Sequence, residues 1–440
     1  MLIKCIYLLF MVSLFFLVSC KSKVKENEAV VEDKKEIVLF DQLDNQVESL
    51  LLSDAACEID IIPLETTDEC LFRKIFNLYV SEKNIFLNSG KSVFQFDRSG
   101  KYIRSISRIG QGPSEINYCQ GIGIDELNRL IYLASGFSAD NQIKVFTFDN
   151  VYVKTIQVAN PGAWLSSNSV TGENSNYTFY KGRHIIRRML PSQDGEPGLW
   201  QLSIRNIDGG EIAVFTDPCN VNYQQEFMQK AYDLTNLDIR WGANSPILNR
   251  YKEQLNCLFD SNDTIYTLNE VDNILEARYF LVCGERPSFA EIRMLGKNMK
   301  FFEYLFVTEI IESKDYLYLI SEKDDYAYLS KVDKQSGYIE SIKKKGEIKQ
   351  SQMLNNAYSR RCMSPEFVND LCGGLGFFPD YQDEDHWIMS YSAEDLLNKI
   401  DLKELKNSKV LLPEKRDQLV RVIENLKEDD NQVLIVAKLK

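Results

Sequence analysis

The chain has 440 residues, of which 44% are hydrophobic and 26% charged, and a formal net charge of −13. So acidic a molecule is repelled by nucleic acid and by anionic headgroups, and no basic patch with interleaved aromatics offsets that, so a nucleic-acid partner is excluded. A chain this long can bury a large core without disulfide staples.

Residues 1–19 read as a signal peptide. Lys4 gives a minimal positive start, residues 6–18 are apolar except for Ser13, and the run is short for a bilayer span. It ends in LVSC, where the small Ser19 precedes Cys20, whose thiol is then expected to carry lipid. Residues 20–56 are assigned to the lipidated cysteine and a tether. The stretch KSKVKENEAVVEDKKE at 21–36 is charged and free of aromatics, and is expected to stay solvated. No later apolar run approaches spanning length. The eight cysteines beyond Cys20 are scattered, with no CxxC to suggest a zinc knuckle or a thioredoxin-like site. Most are expected to be small buried apolar residues, with Cys362 and Cys372 the nearest pair for a disulfide.

From residue 57 onward one figure recurs: an alternating strand, an Asp- or Gly-bearing turn and a second strand. It appears as VFQFDRSGKYI from Val93, IKVFTFDNVYV from Ile143, LSIRNIDGGEIAV from Leu202, TIYTLNEVDNIL from Thr264 and AYLSKVDKQSGYI from Ala327. The turn residues Asp97, Asp149, Asp208, Asp272 and Asp333 stand roughly fifty to sixty residues apart, the period of a four-stranded propeller blade. Preceding strand pairs are read at 76–80 with 84–88, 121–124 with 129–134, 177–180 with 184–190, and 306–311 with 316–320. A sixth blade is assembled from the ends: 373–379, 385–391 and 432–440, closed by 57–65. The fold expected for residues 57–440 is all-β, a six-bladed β-propeller closed by N- and C-terminal strands in one blade. Helical insertions lie on one face, and residues 413–427 carry the spacing of a covering helix at Leu419, Val422, Ile423 and Leu426.

The lipobox, IDIIPLET, VFQFDRSGKYIRSI, GQGPSE, NDTIYTLN and KEDDNQVLIVAKLK together resemble the six-bladed β-propeller lipoproteins of Bacteroidota, which are related in architecture to NHL-repeat propellers. The resemblance implies the propeller fold and an outer-membrane lipoprotein facing periplasm or surface, and carries no catalytic signature onto these residues.

SRIGQGPSEI, from Ser107, lacks the third glycine and the following helix of a phosphate loop. It reads as the crossover from the outer strand of blade one to the inner strand of blade two, with Gly110 and Gly112 supplying positive φ and Pro113 stiffness. Crossovers share a face with the loops between second and third strands, and propellers usually place ligands there. Arg108, Gln111 and Glu115 are candidates to reach a central pocket, or to cap backbone groups and pair with each other. Long excursions at 218–256, 345–371 and 392–431 fall on the same face. The first holds a short helix within 223–234 and then Arg240 and Trp241, a pair able to grip a carboxylate or stack a sugar, or simply to anchor the insert. The second holds Arg360.

Catalytic chemistry is scarce. His184 alternates with apolar neighbours, as a structural histidine does, and with His386 makes too few for a three-histidine zinc centre. The DEDH run at 383–386 and the pair Asp324 and Asp325 read as hairpin turns in preference to calcium ligands. No GxSxG or HExxH is present. The expectation is therefore a lipid-anchored binding propeller for a glycan, peptide or partner protein, with no cofactor. The alternatives are a calcium-dependent hydrolase or lactonase, as some six-bladed propellers are, and a structural subunit of an envelope complex.

Overall fold

The computed structural model describes residues 35–135, 142–158, 177–187, 200–217, 245–259, 262–287, 299–351 and 357–440. Cys20 and the signal segment lie outside them, as do Arg240, Trp241 and the expected helix at 223–234.

Six four-stranded antiparallel blades ring a central axis, each running from its inner strand outward. Blade one is Asn77–Val80, Asn84–Asn88, Val93–Asp97 and Tyr102–Ile106. Blade two is Cys119–Asp125, Leu130–Ser135, Gln142–Thr147 and Tyr152–Gln157. Tyr177–Tyr180, Arg183–Arg187, Leu202–Arg205 and Glu211–Phe215 make blade three. Blade four is Ile247–Tyr251, Gln254–Leu258, Thr264–Asn269 and Ile274–Leu281. Phe306–Glu312, Tyr316–Lys323, Tyr326–Asp333 and Ile339–Lys345 make blade five. In blade six Tyr381–Gln382 is innermost, then His386–Tyr391, then the C-terminal Val433–Leu439, with Ala56–Pro63 outermost. The closing pair is antiparallel, from Ala56 opposite Leu439 to Pro63 opposite Val433.

The core follows from this stacking. Middle strands bury both faces against neighbouring blades, so they read as near-continuous apolar runs, as in Ile85, Phe86 and Leu87, each 0% exposed. The buried apolar side chains of the described residues form six clusters, one in each seam between adjacent blades. The seam of blades five and six is the largest; there Trp387 meets Tyr318 and Phe367 edge-on or tilted, with ring centroids 5.3 and 5.5 Å away. Each such large side chain contributes roughly 1.5–3 kcal/mol by burial.

Sequence and structure part at several points. The segment 373–379, expected as the first strand of blade six, is not one. Gly373 and Gly374 stand at φ +78° and +92°, which breaks an extended run, and Phe377 bridges to Phe367 instead. The first pair of blade four, unassigned from the sequence, lies inside what read as the excursion 218–256, because Asn249 and Asn256 interrupt its apolar pattern. Residues 35–55, counted with the tether, are packed on the rim. Lys35–Ile37 adds a parallel strand to the outer edge of blade four. Val47 and Asn45 then bond to Ser341 of blade five, and Leu50 and Leu52 to Val368. Buried Leu39, Leu43, Leu50 and Leu52 hold this belt down. Cys362 and Cys372 are free thiols: Cys372 is buried and accepts a hydrogen bond from Asn369 Nδ2 at 3.3 Å, while Cys362 belongs to the end of an outer ribbon. The helix expected at 413–427 is present as Pro413–Asn425, burying Leu419, Val420 and Ile423, with two shorter helices, Ala393–Lys399 and Leu402–Asn407, before it.

The repeated aspartates do different jobs. Asp97 and Asp333 cap their turns, accepting the N–H groups of Ser99 at 2.8 Å and Gln335 at 3.0 Å. In blades three and four Asn206 and Asn269 do this instead. Asp149 and Asp208 reach back across seams to Arg104 at 3.4 Å and Lys154 at 2.6 Å, exposed pairs that solvent and salt screen. What recurs is a contact: the turn between third and fourth strands rests on the end of the preceding blade's outer strand. The Gly100 carbonyl accepts the Glu65 N–H at 2.8 Å, and a Cβ on Gly100 would sit 2.2 Å from the Pro63 carbonyl oxygen. Gly209 likewise lies against the end of blade two's outer strand, where a Cβ would sit 2.6 Å from the Ile156 side-chain carbon Cγ2.

Gly100 and Gly337 occupy equivalent turns at φ +90° and +78°, but a Cβ on Gly337 meets nothing within 4 Å. Gly337→Ala should therefore cost about 1 kcal/mol of backbone strain. Gly100→Ala adds the seam clash and should cost about 2–4 kcal/mol. Urea unfolding of the two variants measures the difference, and equal losses would show that the seam contact is not stabilising.

Candidate functional site

The crossover from blade one to blade two is a short parallel ribbon, Arg108–Ile109 beside Glu115–Ile116. Its positive φ lies at Ser107, +65°, and not at Gly110 or Gly112 as expected. Those glycines are needed for space. The Glu115 carboxylate folds back to accept the Gly112 N–H at 2.9 Å, and a Cβ on Gly110 would lie 2.0 Å from Glu115 Oε2. Lys144 donates to the carbonyls of Gly112, at 2.9 Å, and Glu115. Glu115 thus caps the corner. Arg108 and Gln111 are exposed, and their side chains make no hydrogen bond or ion pair among the described residues.

Arg360 is committed elsewhere. It lies on the ribbon formed by Glu347–Ser351 and Ala357–Arg361 and pairs with Glu322 at 2.9 Å. It also donates to the Asp324 carbonyl at 3.0 Å and stacks over Phe302 at 5.2 Å. With its side chain only 7% exposed, it clamps the ribbon to blade five. The structure therefore leaves Arg108 and Gln111 available and uses Glu115 and Arg360 internally, while Arg240 and Trp241 lie outside the described residues.

The central channel is plugged. Tyr79, Tyr177, Phe179, Arg250, Tyr381 and Gln382 converge on a space of about 60 Å³, with a second space of about 20 Å³ beside Pro379. Since a water molecule takes about 30 Å³, this is room for one or two waters and not for a sugar or a peptide. A Cβ on Gly123 would lie 2.4 Å from Phe179 Cβ, so the inner strands approach closely. Side chains lash them together: Arg250 donates to the Phe179 carbonyl at 2.6 Å, and Gln382 accepts from Asn249 at 2.7 Å and donates to the Arg250 carbonyl.

Behind the plug lies a charge cluster that the sequence reading did not single out. Glu312, 0% exposed, accepts a bidentate pair of bonds from Arg278 at 2.9 and 2.8 Å, with Lys334 at 2.6 Å and Asn256 at 3.0 Å. Every polar partner of the carboxylate is supplied from blades four and five, so it locks their seam. Its one sequence trace is a glutamate closing an apolar strand, FVTEIIE.

A family model described as a domain of unknown function, DUF4934, matches residues 34–438. The chain belongs to the DUF4934 family. The match begins where the rim belt begins. A Bacteroides fragilis NCTC 9343 protein described as a putative exported protein has a similar fold, with a TM-score of 0.57 at 12% identity, over 93% of this chain and all of that one. A member of the DUF4221 family from Bacteroides vulgatus ATCC 8482 aligns at a TM-score of 0.46 and 12% identity, over 90% of this chain and 99% of its own. No curated protein matches.

In this DUF4934 propeller both histidines are structural. His184 is buried, with Tyr177 Oη 2.9 Å from Nδ1 and the Ile207 carbonyl 3.2 Å from Nε2, and burial pushes its pKa down to about 4. His386 sits in the DEDH turn, where Asp383 caps the N–H groups of Asp385 and His386 at 2.8 and 2.7 Å. The His386 Nδ1–H donates to the Asp383 carboxylate, which raises the histidine's pKa. Among the described residues no three His, Cys, Asp or Glu side chains group to hold a metal ion, and no helix is long and apolar enough to cross a membrane.

His184 sets a pH dependence. Its folded pKa lies below the ordinary value of 6.5, so between pH 6.5 and 4 the unfolded chain binds the extra proton and stability falls as pH drops. The loss should reach about 2 kcal/mol at pH 5. His386 shifts the opposite way but is common to wild type and a His184→Gln variant, so it cancels. Urea midpoints at pH 7 and 5 should fall more steeply for wild type than for the variant, and parallel slopes would refute a neutral buried His184.

Proposed function

We propose that this DUF4934 protein is an envelope lipoprotein, lipidated at Cys20, whose propeller captures a glycan, peptide or partner protein on its crossover face and catalyses no reaction. The plugged channel carries the reading. A space of about 60 Å³ cannot house a substrate, so recognition moves outward to the crossovers and to the loops between second and third strands. Arg108 and Gln111 stand exposed there, and Arg240 and Trp241, outside the described residues, are part of the same proposal. The description of the Bacteroides fragilis neighbour as a putative exported protein agrees with the LVSC signal, and an acidic exterior suits a protein that stays off anionic headgroups while held by its lipid.

Two measurements test this. Cys20→Ser should abolish labelled-palmitate incorporation and move the protein from the membrane to the soluble fraction; retention of both label and fractionation would disprove lipidation at Cys20. For the chain from Lys21 onward, thermal unfolding against a panel of glycans and peptides should show a ligand that at about a hundred times its Kd adds roughly 2.7 kcal/mol. Arg108→Ala with Gln111→Ala should reduce that shift, whereas an undiminished shift would remove the crossover from the binding site.

A further inference from the structure

A groove of about 580 Å³ lies at the rim, where the Pro413–Asn425 helix faces the seam between blades six and one. Gln418, Arg421, Val422, Asn425 and Leu426 form one wall at i, i+3, i+4, i+7 and i+8, a single stripe of that helix and its cap. The opposite wall is the blade-one turn with Lys101, and the floor is the start of the crossover from blade six, with buried Leu64.

The charges in this groove are unevenly used. Glu65 accepts the Tyr102 N–H at 2.8 Å and Asp430 accepts the Lys427 N–H at 2.8 Å, so both carboxylates are engaged by backbone. Lys101 and Arg421 are exposed and form no ion pair among the described residues, on a molecule of net charge −13 where acidic partners are abundant. The floor is rigid. Asn431 donates to the carbonyls of Glu65 and Cys70, both at 2.8 Å, and accepts the Phe72 N–H at 3.1 Å. The apolar flank of Val422 and Leu426, with two exposed cations held in no ion pair and open along the groove, complements an extended segment that alternates apolar and acidic side chains.

We propose that this rim groove docks an acidic, partly apolar peptide segment of a partner protein, with Lys101 and Arg421 reading its carboxylates and Val422 and Leu426 its apolar side chains. The site is separate from the crossover that carries Arg108 and Gln111 and does not depend on binding there. The volume lies within the range of sites that recognise ligands of that bulk.

The test uses a fluorescein-labelled peptide of about eight residues in which leucine and glutamate alternate between glycine ends, and its lysine counterpart, titrated by anisotropy against the chain from Lys21 onward. The acidic peptide should saturate with a Kd below about 1 mM and weaken at least about tenfold in a Lys101→Glu, Arg421→Glu double variant. Both positions are exposed, so an unchanged urea midpoint verifies that the variant is folded. No saturation by the acidic peptide, equal binding by the lysine peptide, or unchanged affinity in the folded double variant would each overturn the proposal. Arg108→Ala with Gln111→Ala leaves the groove intact and should leave this affinity unchanged; a loss there would place the peptide at the crossover of Arg108 and Gln111 and overturn it as well.

Discussion

Everything else in this molecule rests on ring closure. A propeller blade has two apolar faces and can bury them only between neighbours, so six seams must all form or each exposes a greasy face to water. The antiparallel pairing of Ala56–Pro63 with Val433–Leu439 makes the sixth seam possible, because it ties the two ends of the chain into one sheet. The six apolar clusters, the lashed inner strands and the buried Glu312 pair are local solutions inside that frame. Seam-to-seam regularity is reinforced at the rim, where Gly100 and Gly209 let each turn touch the strand before it.

Much of this was legible because a propeller writes its period into the chain. Hairpins such as VFQFDRSGKYI carry period-two alternation and a turn capped by a carboxylate, and both features survive without tertiary context. The misreadings occurred where tertiary context decides. Asn249 and Asn256 look like loop residues until Glu312 and Gln382 supply their partners, and only then does blade four's first hairpin make sense. Gly373 and Gly374 look compatible with a strand because sequence does not reveal the sign of φ. Residues 35–55 look like a tether because their burial depends on a few leucines spread among charges.

The candidate site was less legible for the same reason. Glu115 and Arg360 have the residue types that ligands recruit, and the fold spends them on a corner and a ribbon. No pattern in the chain distinguishes Arg108, which is left over, from Arg360, which is used. The reverse holds for the rim groove: the stripe at 418, 421, 422, 425 and 426 is visible as helical spacing, but only packing shows that another stripe, through Leu419, Val420 and Ile423, faces the core.

The rim belt has a mechanical meaning. Chain entering at Lys35 first pairs with blade four through three residues, then bridges to blade five, and becomes the outermost strand of blade six. Tension applied at the N-terminus is therefore resisted in series. The short parallel strand shears first, and the long closing strand is loaded only after the belt has peeled from two blades. The belt acts as a strain relief between whatever holds the N-terminus and the seam that keeps the ring shut.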